Sequence, residues 1–311
     1  MNSRIKLSYF LQKGYSILEL LVVVFISLVL FSGLFSLYYN LFKTERESRI
    51  AFKTELDLQS LQTQLHKIFT AIGFGIPLNF FNTHNSYCAE NYVLSKNETH
   101  LCFLSVALRQ AEYNGCWWIC EGNNSLSSKV SSKTWLGGNC ELNYNHLFLR
   151  MNSQRSNYQV LRNVHPCNNA NNGDMVFFLH KSSMNFPRDF WIRLGLSVTN
   201  VTHCAPGTKD LELRIGNDPP QPLISCVGDL RVQFITKEGN LVDSIPSLDS
   251  IHAIRYCLLI QVSPRLQVSE ELPSYSERCG GVFFDNAMWK YYRWRVLEEE
   301  IVLYNLVGSL Y

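Results

Sequence analysis

The stretch that decides the fold of this chain is "LQKGYSILELLVVVFISLVLFSGLF", residues 11–35. From Leu20 to Leu41 the sequence runs for 22 residues without a charged side chain. A bilayer core needs about 20 apolar residues at a rise of about 1.5 Å each, so this segment is long enough to span a membrane. One carboxylate, Glu19, stands at the start of the run, where bilayer depth makes a charge costly. The sequence therefore predicts that Glu19 has a partner.

Basic residues lie on only one side of the apolar run. Arg4, Lys6 and Lys13 precede it, and no acidic residue occurs before Glu19. The positive-inside rule predicts a cytoplasmic N-terminus, with the bulk of the chain on the far side of the membrane. The whole chain has a formal net charge of +2, which is too weak a bias to indicate nucleic-acid binding.

All ten cysteines follow residue 87. An even, dispersed set beyond a membrane segment indicates disulfides in an oxidising compartment. There is no CxxC pair, and a CxxxC spacing suits neither a thioredoxin-like site nor a usual zinc pair. The pairing stays open at this point. The predicted disulfide cysteines are Cys88, Cys102, Cys116, Cys120, Cys140, Cys167, Cys204, Cys226, Cys257 and Cys279.

The segment "KGYSILELL" resembles the class III leader of type IV prepilins. An ordinary signal peptide would have a shorter apolar region ending in a small-residue cleavage site. The resemblance implies that a prepilin peptidase cuts after Gly14, removes residues 1–14 and methylates Tyr15. Tyr15 departs from the family's usual phenylalanine but keeps an aromatic ring. Glu19 becomes the fifth mature residue, as in that family.

The resemblance also implies a role for Glu19 in assembly. Cleavage leaves a cationic amine at Tyr15, and in a filament core of packed helices the Glu19 carboxylate would pair with a neighbour's amine. Opposite charges attract strongly in a low-dielectric core, whereas either charge alone is costly there. The pair would then act as a register device more than as a source of net stability.

Beyond the apolar run the helix is expected to continue as an amphipathic segment. Leucine and isoleucine recur at three- and four-residue steps, which predicts a stripe that packs on a sheet. The alternative is a juxtamembrane coiled coil. The sequence "GFGIP", residues 73–77, predicts the end of the helix. The stripe consists of Leu58, Leu61, Leu65, Ile68 and Ile72.

After Pro77 the chain has the pattern of short strands and polar loops. Apolar, β-like stretches predict strands at 101–108, 146–150, 174–180, 211–215, 229–236, 251–263 and 293–306, and alternation is clear in 229–236. In 229–236 the residues Leu230, Val232, Phe234 and Thr236 are expected to share one face. Loops are predicted at 121–132 and 168–173, and a rigid turn at 217–222.

Two C-terminal stretches resemble PilW-like minor pilins. The matching residues of the first are Val227, Asp229, Leu230, Val232 and Phe234, followed by Ile254, Arg255, Leu258 and Leu259. The ending "YYRWRVLEEEIVLYNLV" resembles that family's closing strand. No calcium site is carried over, because the loop after the first strand holds few acidic residues. Residues 80–205 show no specific match.

No catalytic, cofactor-binding or metal site is predicted. The eight histidines form no HExxH motif, and neither a GxSxG elbow nor a phosphate-binding loop is present. His165 is interpreted as a loop residue beside a disulfide, with a redox or metal fragment as the alternative. Trp117 and Trp118 indicate core packing, with an exposed adhesive knob as the alternative. The run 298–300 is interpreted as a solvated edge or turn, with a paired site as the alternative. In a strand, alternation would point the middle glutamate opposite to its neighbours.

The expected fold is α+β, with a long N-terminal helix packed on an antiparallel, pilin-like β-sheet domain that carries disulfide-rich insertions. The expected divisions are a leader (1–14), a transmembrane or filament-core helix (15–42), its amphipathic continuation (43–76) and a periplasmic or extracellular β-rich domain (77–311).

The resemblance implies a minor pilin and not an enzyme. Its partners would be other minor pilins, the major pilin, prepilin peptidase and an inner-membrane assembly platform. The alternatives are a type II secretion pseudopilin of the GspJ-like kind and a membrane-anchored periplasmic enzyme or binding protein.

Overall fold

The structure is a computed structural model. It describes residues 17–77, 94–96, 100–107, 117–122, 125–128, 147–180, 190–244, 250–263, 269, 271–272, 275–281 and 287–306. The chain divides into two compact units at Glu55. The described part of the first unit is helical, and the second unit, from Leu56 onward, holds the end of the helix and all the strands.

A single helix, α1 (Ile17–Thr70), runs for 54 residues, so the predicted long N-terminal helix is confirmed. Two glycines of the predicted stop follow its end, Gly73 at φ +73° and Gly75 at φ +66°. Side chains other than glycine rarely adopt these angles. A Cβ on Gly75 would also lie 2.9 Å from Phe177 and 3.1 Å from Val106. The glycines therefore both turn the chain and let it approach the core.

The described strands form two antiparallel sheets. They are β1 (Leu94–Lys96), β2 (His100–Leu104), β3 (Trp117–Cys120), β4 (Leu126–Ser128), β5 (Leu147–Met151), β6 (Tyr158–Arg162), β7 (Met175–His180), β8 (Trp191–Val198), β9 (Lys209–Ile215), β10 (Gln221–Thr236), β11 (Leu241–Val242), β12 (Ile251–Gln261) and β13 (Trp294–Val302). The larger sheet has the order β1-β2-β8-β9-β10-β12-β13, with β11 beside β10. The smaller has the order β4-β3-β7-β5-β6.

Each of the seven predicted strand segments contains a strand. Most ends are shifted by a few residues, but β10 begins at Gln221, well before its predicted start at residue 229. In β10, Val232, Phe234 and Thr236 are buried and Leu230 packs partly against the core, as the shared face predicted. One loop prediction is wrong in part, because β4 lies inside 121–132. The strands β1, β3, β6, β8 and β11 were not predicted. The loop at 168–173 agrees with the expectation. The turn predicted at 217–222 is wrong in part, because β10 begins at Gln221, and Gln221 and Pro222 pair with β9.

The main core lies between the larger sheet, the last turns of α1 and the inner face of the smaller sheet. Every member of the predicted stripe on α1 is buried in it. Phe74, just after the helix, meets Phe177 of β7 edge to face at 5.3 Å. The α+β architecture of a long N-terminal helix and an antiparallel sheet domain is therefore confirmed.

Both sheets are also covered on their outer faces by smaller clusters. Trp118, Phe148 and Phe178 pack together beyond the smaller sheet. On the larger sheet, Trp289 and Trp294 pack over the far face of β12 with ring centroids 4.6 Å apart and a tilt of 38° between the rings. Trp117 and Trp118 are 5% and 1% exposed, which confirms core packing in place of an adhesive knob.

Candidate functional site

The most unusual surface of the described chain is the first half of α1. The segment Ile17–Glu45 has a mean hydropathy of 2.8 in its most apolar window, with none of that window buried. Its side chains are exposed on every side of the helix, from Ile17 at 86% to Phe42 at 57%. A soluble monomer rarely exposes a contiguous apolar patch larger than a few hundred Å². This surface is long and apolar enough to span a membrane, and it needs lipid or protein to cover it.

Two hydroxyl groups of this segment are bonded within the helix itself. Ser27 Oγ donates to the Val23 carbonyl at 2.8 Å, and Thr44 Oγ1 donates to the Asn40 carbonyl at 2.9 Å. Hydroxyls bonded to the preceding turn do not require water. These polar residues therefore do not oppose burial of the helix in an apolar environment.

Glu19 lies in the first described turn of α1 and is exposed. The free N–H groups at a helix N-terminus favour a negative charge in the first turn. Gly14 and Tyr15 lie outside the described residues, so the predicted cleavage, the methylation and the pairing of Glu19 with an amine stay predictions.

The last turns of the helix contact the β strands through an aromatic stack and a carboxylate. Phe69 stacks on Tyr256 of β12 with ring centroids 5.1 Å apart. The Tyr256 hydroxyl donates to Glu299 Oε2 at 2.8 Å, and Glu299 Oε1 lies 2.7 Å from Nδ1 of His66 on the helix. Burial, followed by the nearby Glu299, raises the pKa of Tyr256, so the phenol stays a donor at neutral pH. Glu299 thus joins α1 to the two last strands.

The three glutamates of β13 divide between the two faces of the strand as alternation predicted. Glu299 contacts the helix side, whereas Glu300 bonds Arg255 at 2.7 Å and Glu298 accepts from the Ser276 N–H at 2.8 Å. The interpretation of this run as solvated is wrong for Glu299, whose side chain is 21% exposed. The two-residue alternation of side chains along a strand was the signal that placed Glu299 on the face opposite to Glu298 and Glu300.

An open groove lies beside this junction, with a volume of about 400 Å³. It is lined by Gln59, Gln62, Thr63, His66, Lys67 and Glu299. The lining residues include both signs of charge, in Lys67 and Glu299. It forms a shallow surface next to the edge strand β13 and lacks the enclosure of a typical catalytic pocket.

Arg155 ties the smaller sheet to the helix end and to the C-terminal segment. This residue is 5% exposed and adopts φ +55°. Its guanidinium donates to the carbonyls of Gly73 at 2.9 Å, Asn305 at 2.6 Å and Ile76 at 3.0 Å, with a second bond to Ile76. Burial lowers the pKa of Arg155 to about 10, so the group is still charged at neutral pH. Sequence reasoning missed this residue, since nothing local to it distinguishes it from a surface arginine.

Asp229, one of the residues matched to PilW-like proteins, holds the far face of the larger sheet. It accepts from Arg231 Nε at 2.9 Å and from the Tyr275 hydroxyl at 3.3 Å. Arg231 also donates to the Cys279 carbonyl at 2.9 Å. Burial, followed by Asp229, raises the pKa of Tyr275. The motif residue therefore has a structural role here.

Three disulfides are present in the described part of the chain: Cys120–Cys167, Cys204–Cys226 and Cys257–Cys279. Cys102 is also disulfide-bonded. Cys88, Cys116 and Cys140 lie outside the described residues. His165 lies in the turn region beside Cys167 and accepts from its N–H at 3.2 Å, as expected of a loop residue next to a disulfide. His203 lies near a disulfide as well, but sulfurs bonded to each other are poor metal ligands.

No family model matches this chain, and no curated protein matches it. Among solved structures, the chain is similar to a type IV-like pilin from Thermus thermophilus, with 10% identity and a TM-score of 0.35. The match covers 80% of this chain and 95% of that chain. A likeness at this identity and TM-score does not establish a family, and a functional proposal has to stand on the sequence and geometry described above.

Proposed function

We propose that this protein is a minor pilin of a type IV pilus that acts at or near the filament tip and helps to initiate assembly. One observation carries the proposal. The first half of α1 exposes an apolar surface of membrane-spanning length with Glu19 in its first turn. The same helix ends in a stripe buried in an antiparallel β domain.

The apolar surface suits two successive environments. Before assembly, lipid covers it and the protein is a single-pass inner-membrane protein with its β domain in the periplasm. After assembly, the corresponding helices of neighbouring subunits cover it, and the protein lies in a pilus at the cell surface. Helix packing replaces lipid contacts without exposing apolar surface to water.

Several features favour the tip over the shaft. The second unit spans Leu56–Tyr311 and is bulky for a subunit that repeats along a shaft. Its disulfides suit an oxidising, extracellular environment. The proposed partners are other minor pilins, the major pilin, prepilin peptidase and the inner-membrane assembly platform. Adhesion, twitching motility and DNA uptake are roles that such a filament would serve.

Processing is tested by the intact mass of the protein purified from cells that contain a prepilin peptidase. We expect loss of residues 1–14 and one added methyl group on Tyr15. A matched culture without the peptidase should yield the full-length chain. Retention of residues 1–14 in the presence of the peptidase would contradict the proposal.

Assembly is tested by Glu19→Ala, with Glu45→Ala as the matched control. Glu45 is on the same helix, at the end of the apolar segment, in an exposed pair with Arg49 at 2.6 Å. Because an exposed pair contributes little, Glu45→Ala should leave piliation unchanged. Loss of Glu19 leaves a neighbour's amine unpaired in a low-dielectric core, so we expect a fall in incorporation of at least about tenfold. Equal incorporation of both variants would rule out the pairing account.

A type II secretion pseudopilin would undergo the same processing, so a secretion assay has to accompany the piliation assay. We expect deletion of this protein to reduce piliation and to leave type II secretion intact. The opposite result would assign it to the secretion system.

A further inference from the structure

The larger sheet ends at β13, a long strand with one free edge. β13 is the last strand in the order of that sheet, and all nine of its residues pair with β12 on one side. Within the part of the chain that the structure describes, no strand pairs with its other side. The unpaired main-chain groups of such an edge are a template for a further strand.

The hydrogen bonds at the two ends of the pairing show which main-chain groups of β13 point to the free edge. The Val262 N–H donates to the Arg293 carbonyl at 2.8 Å. The Leu303 N–H donates to the His252 carbonyl at 3.0 Å. Because hydrogen-bonded and non-hydrogen-bonded pairs alternate in an antiparallel ladder, the odd-numbered residues point their N–H and C=O groups toward β12. The even-numbered residues point theirs outward, and within the described residues no turn, loop or side chain bonds them: Trp294, Val296, Glu298, Glu300 and Val302.

β13 lacks the features by which proteins commonly block a free edge. Such strands are often very short, or contain proline, lysine or a β-bulge. β13 contains neither proline nor lysine, and its register with β12 has no shift. An inward-pointing charge can also block an edge, but the inward Glu299 is bonded to Tyr256 and His66 of its own chain. The edge is therefore open to another strand.

The charge pattern of β13 disfavours a second copy of this chain as that strand. Glu298 is the central residue of β13, so pairing the whole strand antiparallel with its copy places Glu298 opposite Glu298. Like charges at directly opposed positions repel. Glu298 is exposed, and its carboxylate accepts a hydrogen bond from the Ser276 N–H at 2.8 Å. A partner strand with a different charge pattern fits better.

The outer face of the edge has one carboxylate without a cationic partner. Glu300 bonds Arg255 at 2.7 Å, and Arg231 of the same face bonds Asp229 at 2.9 Å. Among the described residues, no cation lies within 4.0 Å of the Glu298 carboxylate. A lysine or arginine of an incoming strand would supply that cation.

We propose that β13 binds an extended segment of a partner protein, which adds a strand to the larger sheet and places a lysine or arginine beside Glu298. The outward groups recur every second residue, about 6.8 Å apart, and another extended chain repeats that spacing. The groove between α1 and Glu299, of about 400 Å³, gives room for side chains on the inner face of such a segment. This inference does not depend on the proposed pilin function.

The first test is amide hydrogen exchange of the full-length chain in a non-ionic detergent, resolved to single residues by mass spectrometry. The N–H groups of Val296, Glu298 and Glu300 should exchange at least about tenfold faster than those of Leu297 and Glu299, which bond β12. Equal protection of both sets in a monomer would show that this chain covers its own edge. Equal protection in a dimer would assign the edge to a second copy. Either result would overturn the proposal.

The second test is binding of a fluorescent peptide, acetyl-Thr-Val-Thr-Lys-Thr-Val-Thr-amide, followed by anisotropy and by the same exchange measurement. We expect saturable binding that slows exchange at Val296, Glu298 and Glu300. The same peptide with every peptide nitrogen methylated cannot donate main-chain hydrogen bonds and should bind at least tenfold more weakly. A peptide with glutamate in place of lysine should also bind more weakly.

Variants separate the main-chain contribution from the charge. Val296→Pro removes an outward N–H and leaves the bonds to β12 intact, so it should weaken peptide binding at least tenfold, whereas Val296→Ala should not. Glu298→Gln should remove the preference for lysine over glutamate. If Val296→Pro fails to fold, the methylated peptide carries the same test on the unaltered protein.

Three results of the peptide experiments would overturn the proposal. They are the absence of saturable binding by the lysine peptide, equal binding of the methylated peptide, and unchanged affinity in a folded Val296→Pro variant. An unchanged preference for lysine in Glu298→Gln would refute the assignment of Glu298 as the partner of the basic residue.

Discussion

Replacing Glu299 by leucine should loosen the junction between α1 and the two last strands. Glu299 accepts the Tyr256 hydroxyl at 2.8 Å and lies 2.7 Å from His66 Nδ1. Leucine has a similar size but offers no acceptor, so the buried phenol of Tyr256 loses its partner. The Phe69–Tyr256 stack remains in place, which confines the change to the polar contacts.

The magnitude follows from the two contacts. A hydrogen bond to a charged group contributes about 1.5–3 kcal/mol when the group left behind is buried. The His66 side chain is 48% exposed, so its pairing with Glu299 contributes about 0–1 kcal/mol. The free energy of unfolding should therefore fall by about 1.5–4 kcal/mol. For a domain of this size the melting temperature should fall by about 3–16 °C.

The assay is chemical and thermal unfolding of the detergent-solubilised chain, followed by near-UV circular dichroism. A double-mutant cycle with Tyr256→Phe isolates the shared hydrogen bond, and we expect a coupling energy of about 1–2 kcal/mol. Glu299→Gln keeps an acceptor oxygen and should recover part of the loss.

Glu298→Leu is the matched control on the same strand. Glu298 is exposed on the opposite face, and water can replace its bond to Ser276, so its effect should stay within about 0.5 kcal/mol. If Glu299→Leu costs no more than this control, or if the cycle with Tyr256→Phe shows no coupling, the reasoning about this junction is refuted.

Three further predictions concern the helix stop, the buried arginine and alkaline pH. Gly75→Ala should destabilise by about 1–3 kcal/mol more than Gly239→Ala in urea unfolding, because both positions have positive φ but only Gly75 has neighbours within 4 Å. Equal losses would exclude the steric account. Arg155→Met should cost on the order of 3 kcal/mol because buried carbonyls lose a charged donor, whereas Arg162→Met at an exposed site of β6 should be near neutral. If Arg155→Met did not change the free energy of unfolding, the proposed stabilising role of the Arg155 hydrogen bonds would be contradicted. Above about pH 10 the folded state retains a proton on Tyr256 that the unfolded state loses, so stability falls as pH rises, by about 1.4 kcal/mol per pH unit for this group. Tyr256→Phe should reduce that slope in unfolding measured from pH 9 to pH 11, and an unchanged slope would show that the phenol does not carry it.

Much of the fold was predictable because its signals are local. The length of α1, the stripe that begins at Leu58 and the stop at Gly73 depend on helical period and on glycine conformation over short windows. The strand β8 was missed although Ile192, Leu194 and Leu196 alternate toward the core, so its signal was present. Strand β4 gave no usable signal, because its three residues lie in a polar stretch rich in Asn and Ser.

The residues of the candidate sites also fall into those with a local sequence signal and those defined by long-range contacts. The sequence indicated Glu19 because a charge beside an apolar run stands out locally, and alternation correctly placed Glu299 opposite to its neighbours. Nothing local predicted that Glu299 meets His66, which is 233 residues away in the chain. The contact of Arg155 with the Asn305 carbonyl spans 150 residues.

The sequence by itself determined that the chain has a membrane-length helix with a carboxylate at its start and a cysteine-bearing β domain beyond it. Hydropathy, charge and hydrophobic period act over a few turns or strands, so short stretches of sequence are enough to predict these features. Only the tertiary structure decided that β8 lies between β2 and β9, that Arg193 faces Arg214 and that Arg155 joins three distant segments. Strand register and burial are set by competition among long-range contacts, which no short stretch of sequence contains.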